Sequence, residues 1–189
     1  MFKDLLKASR SIRRFYEEDD IPEEMLRDWV DNVRYTPSTA NGQSLKFKIC
    51  TSEEERELIF PCLKWAGALP DWDGPEPGER PNAYVLIFDD LSLGKNRPID
   101  VGICAQTIML SAAEAGYGGC ILGSVDRAKV MAGLGMDTEK YALANVLALG
   151  RPKETVMLVP VKEDGDIKYY RDKDGIHYVP KRGLEEILL

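Results

Sequence analysis

Two short polar runs in the N-terminal quarter of the chain contain residue types that can bind an anionic, planar ligand. Arg10 to Phe15 reads Arg-Ser-Ile-Arg-Arg-Phe, and Pro37 to Gln43 reads Pro-Ser-Thr-Ala-Asn-Gly-Gln. Guanidinium groups pair well with a phosphate dianion or with the electron-rich edge of a flavin ring. Either run alone also fits a simpler structure, a solvated basic turn for the first and an Asx-type turn for the second. Their combination, order and spacing predict a flavin site.

Composition limits the other classes of function. At 189 residues and 44% apolar, the chain is long enough for one domain spanning residues 1–189. The formal charge of −7 disfavours nucleic acid or an anionic membrane as a partner. A single histidine, and four cysteines without Cys-x-x-Cys spacing, provide no metal site and no Ser-His-Asp set. With no apolar leader at the N-terminus, we expect a cytoplasmic protein with reduced thiols.

The elements that must position these runs alternate between helical and extended patterns. Ordered along the chain, the expected elements are a helix within 2–8, a helix from about 21 to 35, a strand over 46–50, a helix capped at Ser52, a strand over 83–88, a short helix begun by Asp126 and a strand over 143–150. Residues 67–82 hold four prolines and three glycines, which exclude a regular element. We therefore predict a loop or lid over about 61–82.

The longest helical pattern runs from Arg97 to Ala115 and is apolar or small on nearly every side. A helix of that kind must be buried on most of its surface. A chain of this size has difficulty burying it alone, whereas two copies could pack through Gly102, Ala105 and Ala112. The pattern predicts a homodimer.

These segments together resemble the nitroreductase family of FMN-dependent oxidoreductases. Along the chain, members of the family have Arg-Ser-x-Arg/Lys-x-Phe, Pro-Ser-x-x-Asn-x-Gln, a long helix, a glycine-rich segment and a C-terminal Pro-Lys-Arg. This chain matches the last two segments with Gly116 to Ser124 and Pro180 to Arg182. The resemblance implies an α+β sandwich, with a central, mostly antiparallel sheet flanked by helices, and two FMN sites at a dimer interface. Ser44-Leu45 departs from the family's frequent Pro-Trp.

The resemblance also implies roles for the residues of the basic run. Arg10 and Ser11 match the pair that holds the FMN phosphate, and Arg13 matches the basic position beside the ribityl chain and the pyrimidine edge. A cation there would stabilise the charge that reduction places on the flavin. Arg14 is interpreted as a surface residue.

The remaining site residues come from three other segments. By resemblance, the partner subunit would contribute Pro37, Ser38 and Asn41, with Gln43 bracing that loop. The backbone at Gly123 and Ser124 would donate to flavin N5 while Ile121 and Leu122 cover one ring face, and Lys181 and Arg182 would hold the phosphate. No catalytic side chain is assigned, because the flavin itself carries the redox step.

The implied activity is transfer of hydride from NADH or NADPH to a second small acceptor, such as a nitroaromatic or a quinone, by a ping-pong mechanism. Three alternatives stay open: a reductive dehalogenase of the same fold, a non-catalytic FMN-binding or redox-sensing protein, and a flavin-free α/β interaction module. The lid aromatics Trp65 and Trp72 could stack on a flat acceptor or hold the loop to the body. His177 is expected on a short strand without a catalytic role.

Overall fold

The computed structural model describes residues 1–94 and 98–189, so Arg97, the predicted first residue of the long helix, lies outside the described residues. The α-helices are α1 (Phe2–Ala8), α2 (Glu23–Asp31), α3 (Glu53–Ile59), α4 (Pro98–Glu114) and α5 (Arg127–Gly133). The strands are β1 (Leu45–Cys50), β2 (Ala83–Asp90), β3 (Gly118–Leu122), β4 (Tyr141–Gly150), β5 (Val156–Pro160), β6 (Tyr170–Arg171) and β7 (His177–Lys181). The predicted elements and the α+β class are confirmed.

The strands form two sheets. The larger has the order β1-β2-β4-β3, and every neighbouring pair in it is antiparallel. The smaller has the order β5-β7-β6, with β5 parallel to β7. Every residue of β2 is buried, as its continuous apolar run predicts for a central strand.

Helices cover both faces of the larger sheet, because successive side chains of a strand point to opposite sides. On β2, Tyr84, Leu86 and Phe88 join one apolar cluster, which includes residues of α3 and α5. Ala83, Val85 and Ile87 join the other cluster, which includes residues of α2 and α4. The result is a sheet between two helical layers.

The long helix α4 is more deeply buried in its own protomer than the sequence suggested. Ala105 and Ala112, predicted to pack against a second copy, are 1% and 0% exposed within the protomer's core. That part of the prediction is wrong, because alanines covered by α2 and the sheet have no surface left for a partner. Gly102 and Ile99 remain exposed. Among residues 1–94 and 98–189, no helix is both long and apolar enough to cross a membrane.

Candidate functional site

The basic run lies against β3, an edge strand of the larger sheet. Ser11 forms a parallel bridge with Gly119, and the Ile12 N–H donates to the Gly119 carbonyl at 2.8 Å. The structure thus brings Arg10, Ser11 and Arg13 beside the glycine-rich segment. Gly116 to Ser124, treated as one segment in the sequence, is a turn followed by β3 and the two residues after it.

The glycines of this segment serve two different purposes. A Cβ on Gly118 would lie 2.9 Å from the Ile12 side chain, and one on Gly119 would collide with the Ala148 carbonyl oxygen. These two glycines therefore let the basic run and β4 pack closely against β3. Nothing lies within 4 Å of a Cβ on Gly123, so its backbone borders open space. Of these three glycines, only Gly123 leaves room for a ligand beside the chain.

Ile121 and Leu122 do not share the role predicted for them. Leu122 is 5% exposed and belongs to the apolar cluster on the α3/α5 face. Ile121 points to the other side of the strand and is 38% exposed. The expectation that Leu122 covers a ring face is wrong, because its side chain is already enclosed by the core. Ile121 alone has surface to offer.

The side chains of Arg10 and Arg13 fit an anionic ligand. One terminal nitrogen of Arg10 donates to the Leu6 carbonyl at 2.7 Å, and one of Arg13 donates to the Ser11 carbonyl at 3.2 Å. Both Nε atoms are buried, and neither has a hydrogen-bond acceptor among the described residues. Burial lowers the pKa of Arg10. An unpaired buried donor costs about 1–3 kcal/mol, so an acceptor such as a phosphate oxygen would stabilise this turn.

The second run forms a loop with unusual backbone angles. Ala40, Asn41 and Gln43 have φ values of 52°, 51° and 45°, in the left-handed region that non-glycine residues rarely adopt. The Gln43 amide donates to both the carbonyl and the side-chain oxygen of Asn41, at 3.3 and 3.1 Å. The Gln43 N–H donates to the Ser38 hydroxyl at 3.3 Å. Gln43 braces the loop as predicted.

A buried carboxylate that sequence reasoning missed holds this loop. Asp100, in the first turn of α4 and 2% exposed, accepts the N–H of Thr39 at 3.0 Å and the Thr39 hydroxyl at 2.7 Å. The only sequence signal is an acid in the first turn of a helix, which is common for electrostatic reasons. Ser38, Asn41 and Asp100 line a cavity of about 790 Å³.

The loop and the basic run lie at different levels of α4 within one protomer. Thr39 is fastened to Asp100, whereas the Ser9 hydroxyl, next to the basic run, donates to the Met109 carbonyl at 3.5 Å. Nine residues of α-helix separate these two anchor points, about 14 Å at 1.5 Å per residue. A single chain therefore presents the predicted site residues as two separate groups.

The C-terminal pair lies at the end of β7. Lys181 ends β7, and Arg182 pairs with Glu186 at 3.4 Å. Within the described ranges, no hydrogen bond or ion pair joins Lys181 or Arg182 to Arg10 or Ser11. The predicted phosphate role of these two cations stays a prediction.

The lid begins directly beside the end of β3. The Lys64 N–H donates to the Ser124 carbonyl at 3.0 Å, and the Asp126 N–H donates to the Cys62 carbonyl at 2.8 Å. Leu63 forms an antiparallel bridge with Val125 between them. The chain thus enters the lid next to the predicted N5-binding backbone.

The far end of the lid is fastened by Arg14. Its Nε and a terminal nitrogen each lie 2.5 Å from a different carboxylate oxygen of Glu79, and the Phe15 N–H donates to the Glu79 carbonyl at 3.0 Å. This paired hydrogen bonding lowers the pKa of Glu79 and raises that of Arg14. Arg14 is therefore not the surface residue that we expected, because its guanidinium group holds the lid.

The lid aromatics pack against the protein. Trp65 is 6% exposed, with its ring centroid 6.0 Å from that of Phe60. Trp72 is half-buried, and the Arg171 guanidinium lies 4.2 Å from its ring centroid. Of the two alternatives for these aromatics, attachment of the loop to the body is confirmed for Trp65.

The cysteines and the histidine are buried. All four cysteines are free and buried, and burial raises the pKa of each thiol, that of Cys50 to about 12. His177 is 1% exposed, and burial lowers its pKa. In residues 1–94 and 98–189, no group of three or more His, Cys, Asp or Glu side chains could hold a metal ion.

Comparison with known proteins identifies relatives along most of the chain. The model of the family described as "Nitroreductase family" matches residues 6–97 and 85–151. The Bacillus subtilis protein "Putative NAD(P)H nitroreductase YdgI" is 23% identical over 183 residues, covering 79% of this chain and 88% of that protein.

Two solved structures share the fold. A Staphylococcus epidermidis protein described as a "putative NAD(P)H:FMN oxidoreductase" has a TM-score of 0.73 and 16% identity, and the match covers 100% of this chain and 95% of that one. A Desulfovibrio desulfuricans "putative nitroreductase in complex with FMN" has a TM-score of 0.71 and 19% identity, and that match covers 99% and 94% of the two chains.

Proposed function

Because the chain belongs to the nitroreductase family, we propose that it is an FMN-dependent oxidoreductase that takes hydride from NADH or NADPH and reduces a second small molecule. The names of its relatives support this proposal, since one is named "Putative NAD(P)H nitroreductase YdgI" and a structural neighbour is described in complex with FMN.

The observation that carries the proposal is the position of the basic run, which lies against the glycine-rich strand beside the open backbone of Gly123. Arg10 and Arg13 each have a buried Nε without an acceptor among the described residues, and Gly123 borders open space on the adjacent strand. In our proposal Arg10 and Ser11 bind the FMN phosphate, with Lys181 and Arg182 as further cations. Arg13 binds the pyrimidine edge.

Bound FMN would supply a two-electron hydride carrier at a single ring face, which suits a ping-pong exchange between the nicotinamide and the acceptor. Arg13 would stabilise negative charge on the reduced ring through a fixed cation. The backbone N–H groups at Gly123 and Ser124 would orient the ring from its N5 side. Ile121 would cover part of the ring face nearest β3.

A homodimer would unite the two groups of site residues. Two copies of α4 related by a two-fold axis and packed antiparallel would place the Asp100 end of one beside the Met109 end of the other. The loop with Pro37, Ser38, Asn41 and Gln43 could then meet the basic run of the partner. The exposure of Ile99, at 71%, and of Gly102 supports a contact through α4.

We also propose a flat acceptor and a reducing compartment. A nitroaromatic or a quinone would suit a site whose chemistry belongs to a flat cofactor. Four buried cysteines without a disulfide support a reducing compartment such as the cytoplasm. The same burial weighs against a redox sensor, because a thiol with a raised pKa forms little of the reactive thiolate.

The first experiment is a visible absorbance spectrum of the purified protein, followed by NADH or NADPH under anaerobic conditions. We expect a yellow protein that is bleached by one or both donors. Arg13→Ala should weaken FMN retention or slow the bleaching. Lys140→Ala, which removes an exposed cation beside Tyr141 at the start of β4, should change neither.

The other outcomes point to the alternatives. A yellow protein that no nicotinamide bleaches would favour an FMN carrier or sensor, and bleached enzyme that releases halide from a halogenated acceptor would favour a reductive dehalogenase. A colourless protein that takes up no added FMN would overturn the assigned site.

A further inference from the structure

The segment at the start of β6 contacts both the basic run and the lid. Tyr169 directly precedes β6, and Arg171 is its last residue. Tyr169 contacts Arg13 of the basic run directly, and Arg171 is joined to Arg13 through Glu154. Each of the two also contacts a lid residue. We call the backbone around Arg13 the Arg13 turn. The basic run and the lid are thus linked twice through one short segment.

The first link passes through a buried carboxylate. One oxygen of Glu154 accepts the backbone N–H of Arg13 at 2.5 Å, and the other accepts a terminal nitrogen of Arg171 at 2.8 Å. The side chain of Glu154 is 0% exposed. The same Arg171 guanidinium lies over the ring of Trp72 in the lid. Charge pairs strengthen when water is excluded, as it is from the Glu154 carboxylate.

The second link passes through an aromatic ring. The guanidinium of Arg13 lies 5.1 Å from the ring centroid of Tyr169. The hydroxyl of Tyr169 accepts the N–H of Ala68 in the lid at 3.2 Å. The ring also contacts His177, whose centroid lies 5.2 Å away, so Tyr169 is fixed from the side of β7 as well.

We propose that Glu154, Tyr169 and Arg171 are positioning residues that couple the lid to the Arg13 turn. A ligand that orders Arg13 thereby orders the lid. An acceptor that moves the lid changes how strongly the conformation of Arg13 is stabilised. Such coupling is reciprocal in binding free energy. The part that concerns flavin and acceptor rests on the proposed function, whereas the coupling between the two segments belongs to the protein alone.

The ligand-free protein provides the first test, by hydrogen exchange of individual backbone amides. Trp72→Leu removes the ring under Arg171 and should speed exchange of the distant Arg13 amide at least five-fold, the lower end of typical coupling. Glu154→Gln should likewise speed exchange of the Ala68 amide in the lid. Tyr169→Phe keeps the ring beside Arg13 but removes the acceptor for Ala68, so it should release the Ala68 amide with a smaller effect on Arg13.

Trp65→Phe is the control, because it alters a lid tryptophan whose ring packs against Phe60, whereas the Arg171 guanidinium lies over Trp72. It should leave the Arg13 amide unchanged after correction for global stability, read from amides of α4. If Trp72→Leu frees the lid and Arg13 exchanges as in the wild type, the coupling is overturned. Equal effects of Trp65→Phe and Trp72→Leu on Arg13 would also overturn it, since a general loosening would then explain both.

The second test measures FMN dissociation constants for Trp72→Leu, Glu154→Gln and the double variant. Coupling predicts that the FMN dissociation constant of the double variant differs at least five-fold from the value obtained by multiplying the two separate effects. Trp65→Phe combined with Glu154→Gln should multiply within error. If the wild type takes up no FMN, the proposed function fails, and the exchange experiment still decides the coupling. If the protein binds FMN and the separate effects multiply, the coupling alone is contradicted.

Discussion

The carboxylate of Asp100 accepts hydrogen bonds from the backbone N–H and the hydroxyl of Thr39, at distances between 2.7 and 3.1 Å. This contact fixes the start of a loop in which three non-glycine residues have positive φ. Such backbone is kept only where its surroundings hold it. Asp100 therefore holds the loop conformation that presents Asn41.

Asp100→Asn should loosen this loop. The substitution removes the charge, and hydrogen bonds to charged groups are worth about 1.5–3 kcal/mol. We expect faster exchange of the loop amides and, in the proposed dimeric site, an FMN dissociation constant raised about ten-fold or more.

Asp137→Asn is the control for this substitution, because Asp137 also accepts backbone N–H groups but lies in an exposed turn. It should leave FMN binding unchanged. Wild-type loop exchange in Asp100→Asn would show that Asp100 does not hold the loop, and wild-type FMN affinity with a loosened loop would show that the loop does not bind FMN.

The Arg14–Glu79 pair should make the stability of the protein dependent on pH in acid. Arg14 lowers the pKa of Glu79 in the folded protein, so the pair contributes its full stability above the unfolded value of about 4.3. The contribution is lost as the pH falls through the lowered folded pKa. At neutral pH, Glu79→Gln should reduce the free energy of unfolding by about 1–2 kcal/mol.

Urea unfolding at several pH values between 7 and 3 measures this effect. The difference between wild type and Glu79→Gln should stay constant down to about pH 4.3 and then shrink. Glu23→Gln removes an exposed pair with Arg27 and should have no measurable effect at any of these pH values. A Glu79→Gln difference that does not change with pH would contradict the role of the ion pair.

Alanine at Gly119 should destabilise the protein, whereas alanine at Gly123 should not. A methyl group on Gly119 meets the Ala148 carbonyl oxygen of the paired strand, whereas one on Gly123 meets open space. Gly119→Ala should therefore lower the free energy of unfolding by about 1–3 kcal/mol, the usual cost of overpacking. Gly123→Ala should leave stability within about 0.5 kcal/mol and weaken FMN binding. Reversed effects on stability would contradict the packing of β3 described above.

Residues close together in the sequence could be read with more success than residues that meet only in the fold. The apolar run of β2 and the cap at Ser52 depend on local periodicity and local hydrogen bonds, so they were predictable. The roles of Arg14 and Leu122 were not, since one depends on a glutamate 65 residues away and the other on which strand face meets the core. Glu154 gave no signal at all, because a buried carboxylate is recognisable only by its partners.

The single histidine should make the stability of the protein sensitive to pH near neutrality. Burial lowers the pKa of His177 in the folded protein, with Glu154 opposing this shift and Arg13 and Arg171 adding to it. The unfolded chain, with a histidine pKa of about 6.5, then binds more protons than the folded one as the pH drops. Stability should therefore fall below about pH 6.5 and stop falling below the lowered folded pKa.

The expected loss between pH 7.5 and 5.5 is up to about 1.4 kcal/mol, measured by urea unfolding. His177→Phe should abolish this slope while keeping a ring beside Tyr169, because no other group of the chain has a histidine side chain. In the wild-type protein, the C2–H resonance of His177 should titrate with a midpoint below the ordinary histidine pKa of about 6.5. A resonance that titrates near pH 6.5 would show that the imidazole is charged in the folded protein, and the slope would then need another source.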